Sequence, residues 1–365
     1  AADWPDGAGL RMQMVWPRWR PGVLRKKTEG SGEHDNMIKY SGSTSRQVVI
    51  VGAGAVGVSF AYALMIKGLA EEIVLVDVNR ARVEGEVMDL SHGSAFAPMQ
   101  SIRAGDAGDY GNAALIVITA GAAQKPGESR LNLLERNARI MRSIMGDIKA
   151  SGGTAPVIVV SNPVDILTQI AIAELGNDRR RVFGSGTVLD SARFRHILSR
   201  KCQVDIHNVH AYILGEHGDS EVAAWSLSHV GGTPVADICA GCGCCDTPLA
   251  SVVNREAVLE QVRHSAYHII DAKGATCYGV GMALVEISAA VLRDQHSVLT
   301  VSTLLQGEYG QRDICLSVPC VVGREGIVRV ITGSLSGDEQ RGLDASAAIL
   351  RGRLQALLDL EQQKQ

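Results

Sequence analysis

No stretch of this sequence approaches the roughly 20 apolar residues that a helix needs to cross a bilayer. Its apolar runs are short and interrupted by Gly, Asn or Asp, as buried strands are. Nor is there an excess of one charge: Lys and Arg number 36 against 39 Asp and Glu, a net charge of −3. That balance gives no basis for nucleic acid or an anionic membrane as the main partner. A spread of cysteines is also missing. Four of the eight, Cys239, Cys242, Cys244 and Cys245, crowd into seven residues, apart from Cys202, Cys277, Cys315 and Cys320. Such spacing is poor for a disulfide framework and reads as reduced thiols in a cytoplasmic setting. One short segment rarely wraps a tetrahedral ion, so a metal-free loop is expected there. Internal repeats are absent.

What is present is ordinary globular composition, 46% hydrophobic and 21% charged, over 365 residues. That length suits two packed domains. The opening differs from the rest: it holds Trp4, Trp16 and Trp19, the basic cluster Arg25-Lys26-Lys27 and the polar run Thr28 to Asn36. No apolar segment follows the basic residues, so a secretory signal is not expected. Residues 1–45 are expected to be a disordered extension, or a start placed ahead of a natural beginning at Met37. A targeting or partner-binding role is the alternative. The folded chain is expected to begin near Gln47.

From there strand-like and helix-like segments alternate. Gln47–Val51, Ile73–Val76, Leu115–Thr119 and Val157–Val160 are continuous Val/Ile-rich runs, and Val56–Lys67 has helical spacing. Continuous rather than alternating apolar runs predict strands covered on both faces, hence an α/β fold with a parallel sheet. After about Gly184 the rhythm loosens into helices such as Ser191–Lys201 and Ala345–Leu360 and strands such as Ile327–Ile331. Two domains are therefore expected, 46–184 and a mixed α+β domain over 185–365.

Gly52-Ala53-Gly54-Ala55-Val56-Gly57 lies between the first strand and its helix. There Gly52 would make the tight turn, Gly54 would admit a pyrophosphate against the backbone, and Gly57 would let helix and strand pack closely. The helix N-terminus adds free N–H groups and a positive dipole end. A lone pattern of this kind is weak. Asp77, however, ends the next strand twenty residues past Gly57, where a carboxylate can accept from a ribose 2′-OH. It would repel a 2′-phosphate, so NAD is favoured over NADP, with nearby Arg80 the one residue that argues otherwise.

Four further segments carry polar residues in apolar or glycine-rich surroundings: Thr119 to Arg130, Ser161-Asn162-Pro163, Gly184 to Arg195, and Gly215-Glu216-His217-Gly218-Asp219. Asp190 and Arg193, three apart on one helix, share a face and alone could be a surface ion pair. Asp190 and Asp219 are both candidate partners for His217. Together these groups meet the needs of carbonyl reduction. Such chemistry wants a proton donor tuned near neutral pH, a carboxylate to orient it, and cations for the carbonyl and for a substrate carboxylate.

From about Gln47 to Leu358 the chain resembles the L-lactate dehydrogenases, within the lactate/malate dehydrogenase family. The stretches that carry the resemblance are GAGAVG, MDLSHG, TAGAAQKPGESRLNLLERN, SNPVDILT, GSGTVLDSARFR, ILGEHGDSE, KGAT and QGEYGQRDICLSVPCVVGREG. The first 36 residues have no counterpart in that pattern. The resemblance implies a Rossmann-type NAD domain followed by a substrate domain, with Gly52, Gly54, Ala55, Val56, Gly57, Asp77, Thr119, Ala120, Gly121 and Asn162 around the cofactor. It implies His217 as acid/base, paired with Asp190, and Arg193 as a two-pronged clamp on the substrate carboxylate. Arg130, on a mobile loop, would polarise the carbonyl; Asn162 would lie between nicotinamide and substrate, and Thr276 beside the substrate's variable end.

Gln124 occupies the position where malate enzymes of the family place Arg. A neutral amide leaves a second substrate carboxylate unpaired, at a cost on the order of a few kcal/mol, so pyruvate/lactate is expected. Lys125 next door could compensate, which keeps malate or another 2-hydroxy acid as the alternative. A non-catalytic NAD-binding module is the alternative of another class, and it is disfavoured because His217, Arg130, Asp190 and Arg193 all stand. The resemblance also implies a homotetramer. Arg195, two residues after Arg193, should point roughly 200° around the helix from it. With His210 it matches an anion site that binds fructose 1,6-bisphosphate in some bacterial relatives.

Overall fold

The computed structural model describes residues 46–123, 127–235, 237–238 and 252–364. Residues 1–45, Gln124 and the four clustered cysteines, for which expectations were formed above, lie outside the described residues.

Six strands, β1 (Gln47–Val51), β2 (Glu72–Val76), β3 (Ser101–Ala104), β4 (Leu115–Ile118), β5 (Val157–Val159) and β6 (Val182–Gly184), form the expected parallel sheet. Every residue of β1, β4, β5 and β6 is buried, which is why their Val/Ile runs do not alternate. The helices between them are α1 (Ala55–Lys67), α2 (Arg80–His92), α3 (Arg130–Ala150) and α4 (Val164–Glu174). On α1 the buried positions are Gly57, Phe60, Ala61, Leu64 and Met65, a single stripe at three- and four-residue spacing. Gly68 ends that helix in the left-handed region at φ 59°, its N–H donating to the Met65 carbonyl at 3.1 Å.

After β6 come α5 (Val188–Cys202) and five two-residue strands, β7 (Val209–His210), β8 (Ile213–Leu214), β9 (Val222–Ala223), β10 (His229–Val230) and β11 (Thr233–Pro234). Helices α6 (Val252–Lys273) and α7 (Tyr278–Leu292) follow, then β12 (Ser297–Gln306), β13 (Arg312–Gly323), β14 (Gly326–Val330) and α8 (Gly337–Gln362). The C-terminal strands do not build a separate sheet. Ser302 of β12 pairs antiparallel with Gly184 of β6, so one nine-stranded sheet runs β14-β13-β12-β6-β5-β4-β1-β2-β3. Residues 44–365 accordingly form one compact unit. A smaller apolar cluster, including Phe194, Leu198, Ile213, Val258 and Val262, packs α5 and α6 together. Among the described residues no helix is long and apolar enough to cross a membrane.

The strand order reverses between β1 and β4, and the loops leaving the carboxyl ends of the parallel strands converge there. Open α/β sheets bind ligands at such a switch point.

Candidate active site

The first loop of the switch point is the Gly52–Gly57 turn. Gly52 stands at φ 111°, and a Cβ on it would lie 2.6 Å from the Ala120 nitrogen. A Cβ on Gly57 would lie 2.0 Å from the Gly52 carbonyl oxygen, so helix and strand meet there at backbone distance. Gly54 is different. Its φ is −79° and a Cβ there would meet nothing within 4 Å. Packing does not demand glycine at that position; it borders open space in front of the α1 N-terminus, where no side chain caps the helix. A dinucleotide pyrophosphate fits that space and those free N–H groups.

Asp77, at the end of β2, accepts from the Ala53 N–H at 2.8 Å and from the Asn79 N–H at 2.9 Å. It therefore fixes the glycine turn as well as presenting oxygen lone pairs for a ribose. Thr119 Oγ1 donates to the Gly52 carbonyl at 2.9 Å, and the Ala120 N–H to the Val51 carbonyl at 2.8 Å, tying the loop after β4 to the turn. Beyond Gly121, Asn137 joins two loops: its Oδ1 accepts from the Ala122 N–H and its Nδ2 donates to the Asn162 carbonyl.

Beside this cradle lies a cavity of about 710 Å³ whose wall includes Val56, Asn162, Arg130, Asp190, Arg193, His217 and Thr276. Residues far apart in sequence are brought there by α5 and β8. Thr187 Oγ1 donates to the Ile213 carbonyl at 2.5 Å, and the Ile213 N–H donates to Ser191 Oγ at 2.9 Å. These bonds lock the start of α5 to the strand that leads into His217.

His217 Nδ1 lies 2.6 Å from Asp190 Oδ2, while Arg193 Nη1 donates to Asp190 Oδ1 at 2.7 Å. Asp190, not Asp219, is thus the partner of the histidine; Asp219 accepts instead from the Tyr267 hydroxyl at 2.9 Å. The Asp190–Arg193 pair is not a surface pair, the two side chains being 4% and 14% exposed. Asp190 sits in the first turn of α5, where the helix dipole favours a carboxylate. Burial opposes its charge, but His217 and Arg193 outweigh that and hold its carboxyl below the usual range. Burial likewise opposes a charged His217. The Asp190 charge and hydrogen bond, with Asp165 and Glu221 behind them, raise the ring to about 9.

Arg130 was expected on a loop; it is the first residue of α3, because Ser129 Oγ caps that helix by accepting from the Asn132 N–H at 3.1 Å. Its side chain still reaches the cavity wall. Arg195 is absent from that wall, as expected of a side chain on the other side of α5.

Sequence reasoning missed three groups. Asp165, on α4, is buried; its Oδ2 accepts from the His217 backbone N–H at 2.8 Å and its Oδ1 from Ser302 Oγ at 2.6 Å. Burial pushes its carboxyl up to about 6 despite those bonds. A lone acid inside the apolar run Val164–Ile172 was the available signal. Glu216 is held by Arg353 and Ser220, and its N–H donates to Ser346 Oγ at 2.8 Å, so α8 braces the residue before the histidine. Glu221, also buried, shares the cavity wall.

Fold and cavity together define an NAD-dependent oxidoreductase. The profile of the lactate/malate dehydrogenase NAD-binding domain matches residues 46–184, and that of the lactate/malate dehydrogenase alpha/beta C-terminal domain matches residues 187–361. The chain belongs to the lactate/malate dehydrogenase family. It is 52% identical to an L-lactate dehydrogenase of Treponema denticola over 84% of this chain and 96% of the relative. With L-lactate dehydrogenase 1 of Clostridium acetobutylicum the identity is 46%, over 85% and 98%. Among solved structures it resembles a lactate dehydrogenase from a Medee basin deep-sea metagenome library, with a TM-score of 0.82 and 44% identity, covering 86% of this chain and 99% of that one. The ligand-bound minor L-lactate dehydrogenase of Enterococcus mundtii gives a TM-score of 0.82 at 43% identity, over 86% and 98%.

Proposed function

We propose that this chain interconverts pyruvate and L-lactate, with His217 as the acid/base. The observation that carries this reading is one buried carboxylate, Asp190, gripping both the histidine and Arg193 on the wall of a single cavity. The cofactor, when bound, would supply the hydride for reduction as NADH and accept it for oxidation as NAD+. With Asp190 ionised, the Nδ1 proton of His217 is committed to it, which leaves Nε2 to give its proton to the carbonyl oxygen. Arg193 keeps N–H groups free for the substrate carboxylate, a planar match that Lys lacks. Arg130 polarises the carbonyl from the start of α3. Asn162 lines the nicotinamide side, and Thr276 the substrate's variable end. In this reading residues 46–184 hold the dinucleotide with Gly52, Gly54, Ala55, Val56, Gly57, Asp77, Thr119, Ala120 and Gly121, and residues 185–365 supply most of the substrate side.

The names of the relatives and the neutral Gln124 favour pyruvate over oxaloacetate. The decisive test follows NADH oxidation with each acid in parallel. Pyruvate should have the larger specificity constant; a larger one for oxaloacetate, or no turnover of either, would sink the reading.

The reading extends to a homotetramer in the cytoplasm, where the reduced thiols Cys277, Cys315 and Cys320 suit a reducing compartment. It also includes fructose 1,6-bisphosphate as an activator at Arg195 and His210. Support comes from the Arg195 Nε, buried without a partner among the described residues, and from the exposure of His210 on β7. Titrating the sugar at subsaturating pyruvate should lower the half-saturation and favour the tetramer in sedimentation. A flat response in both would remove this site.

A further inference from the structure

His217 interacts with more acids than its partner Asp190. Glu221, four residues beyond it, is 2% exposed and lines the same cavity. Its Oε1 is buried with no hydrogen-bond partner among the described residues. Arg263 of α6 anchors the segment by donating from Nη2 to the Glu221 backbone carbonyl at 2.8 Å, and spends Nη1 on Glu260 at 3.0 Å. The guanidinium thus holds the backbone of Glu221 rather than its carboxylate. A buried acid left in this way, within electrostatic reach of the histidine, costs stability, and such costly groups concentrate at functional sites.

We propose that Glu221 is a positioning residue for the reduction, a further carboxylate beside Asp190 and Asp165 that keeps the His217 ring protonated as the solution turns alkaline. The inference rests on His217 being the acid of the reaction.

Charges reach this pair from several elements. Asp190 and Arg193 come from α5, Asp165 from α4 and Arg263 from α6, while Glu216 precedes the histidine on its own loop. Arg130 of α3, Arg353 of α8 and, beyond the histidine, Asp219 with its partner Tyr267 of α6 complete the titratable wall. Of these, Asp190, Asp165 and Glu221 raise the proton affinity of His217. Burial, and then the Asp190 charge, push the Glu221 carboxyl up to about 8, against the pull of His217, Arg263 and Arg193. Carboxyl and ring are both raised toward the alkaline range, so they titrate as a linked pair.

The test compares pH profiles of kcat/KM for pyruvate reduction in the intact protein, its Glu221→Gln and Glu221→Asp variants, and His217→Asn. The Gln side chain keeps the volume and removes the charge, so its alkaline limb should move down by roughly 0.5–1 pH unit, whatever the height of its plateau. Asp should return the limb most of the way. A merely structural role would lower turnover at all pH values and leave the limb in place, and that outcome overturns the proposal. Should the Gln variant not fold, infrared difference titration of the parent decides: loss of a carboxylic acid C=O band between about pH 7 and 9 is expected, and no such band overturns the idea. The outcomes are separable. If His217→Asn remains active, the acid itself is misassigned; if it is inactive and the Gln limb has not moved, only Glu221 is.

Discussion

The two ends of the ligand-binding region are built on different principles. The nucleotide end is made of backbone: glycines at contact distance, a helix terminus, and a carboxylate that bonds to the turn itself. The substrate end is made of buried charge, with Asp190, Arg193, His217, Asp165 and Glu221 drawn from α4, α5 and the loop after β8. Shape governs the first and proton affinity the second. Substitutions should therefore fail in different currencies, sterically at one end and through pH and turnover at the other.

The largest effect should come from the charged end. His217→Asn removes the acid while keeping a hydrogen-bonding side chain of similar reach, and turnover of pyruvate should fall by about 10²–10⁴-fold. NADH affinity, measured by fluorescence, should stay within a few-fold, because the glycine turn and Asp77 are untouched. Turnover above roughly a tenth of the parent's would be too much for a protein that has lost its general acid.

The backbone end should break next, and unevenly. Gly57→Ala puts a methyl 2.0 Å from the Gly52 carbonyl oxygen, so helix and strand must separate. Overpacking of this kind costs about 1–3 kcal/mol, visible as a lower melting temperature together with weaker NADH binding. Gly54→Ala meets no protein atom within 4 Å at an ordinary φ of −79°. Its melting temperature should hold while NADH binding alone weakens. Equal losses of stability in the two variants would show that Gly54 is there for packing and not for the pyrophosphate.

This contrast also explains what could be read from sequence. The nucleotide turn and its acid lie within 52–77, a span short enough for strand, glycine and helix signals to occur together. Strand boundaries were legible for the same reason: β1 is Gln47–Val51 as expected, and β5 differs by one residue. Asp165 and Glu221 could not be read, because what makes them matter is the burial and the neighbours supplied by Ser302, Arg263 and the histidine loop. The continuation of the sheet through β12 was hidden too. It rests on the antiparallel pairing of Ser302 with Gly184, 118 positions apart, which no local pattern announces. Arg130 moved from loop to helix on a cap, Ser129 to the Asn132 N–H, that the family pattern does not spell out.

A milder probe of the charged end is pH. His217 is raised from 6.5 to about 9. A histidine raised in this way contributes stability that is fully present below its unfolded value and lost as pH rises through the folded one. The window is therefore about 6.5 to 9, and the melting temperature should decline across it. Pyruvate reduction needs the charged ring, so kcat/KM should hold through neutrality and fall above about 9. Lactate oxidation needs the neutral ring and should rise over the same interval. A reduction limb near pH 6.5 would mean that Asp190, Asp165 and Glu221 do not act on the ring as their positions imply.

The smallest effect is expected at Arg80, the residue that argued for NADP in the sequence. It opens α2 beside Asp77, where a 2′-phosphate would sit if one were accepted. In the structure its guanidinium is already engaged: Nε donates to Glu84 at 3.1 Å and Nη1 to the Gly105 carbonyl at 3.2 Å. Both members of the ion pair are more than half exposed, and such pairs contribute only about 0.3–0.5 kcal/mol. Asp77, by contrast, is fixed at the end of β2 by two backbone N–H groups. Selection against the 2′-phosphate should therefore survive the loss of Arg80. Arg80→Ala should leave the NADH-to-NADPH ratio of kcat/KM within about two-fold of the parent, a difference of roughly 0.4 kcal/mol, and the melting temperature nearly unchanged. A large further drop with NADPH alone would show that Arg80 leaves Glu84 to meet the phosphate, and the backbone end would then owe part of its selectivity to a side-chain charge after all.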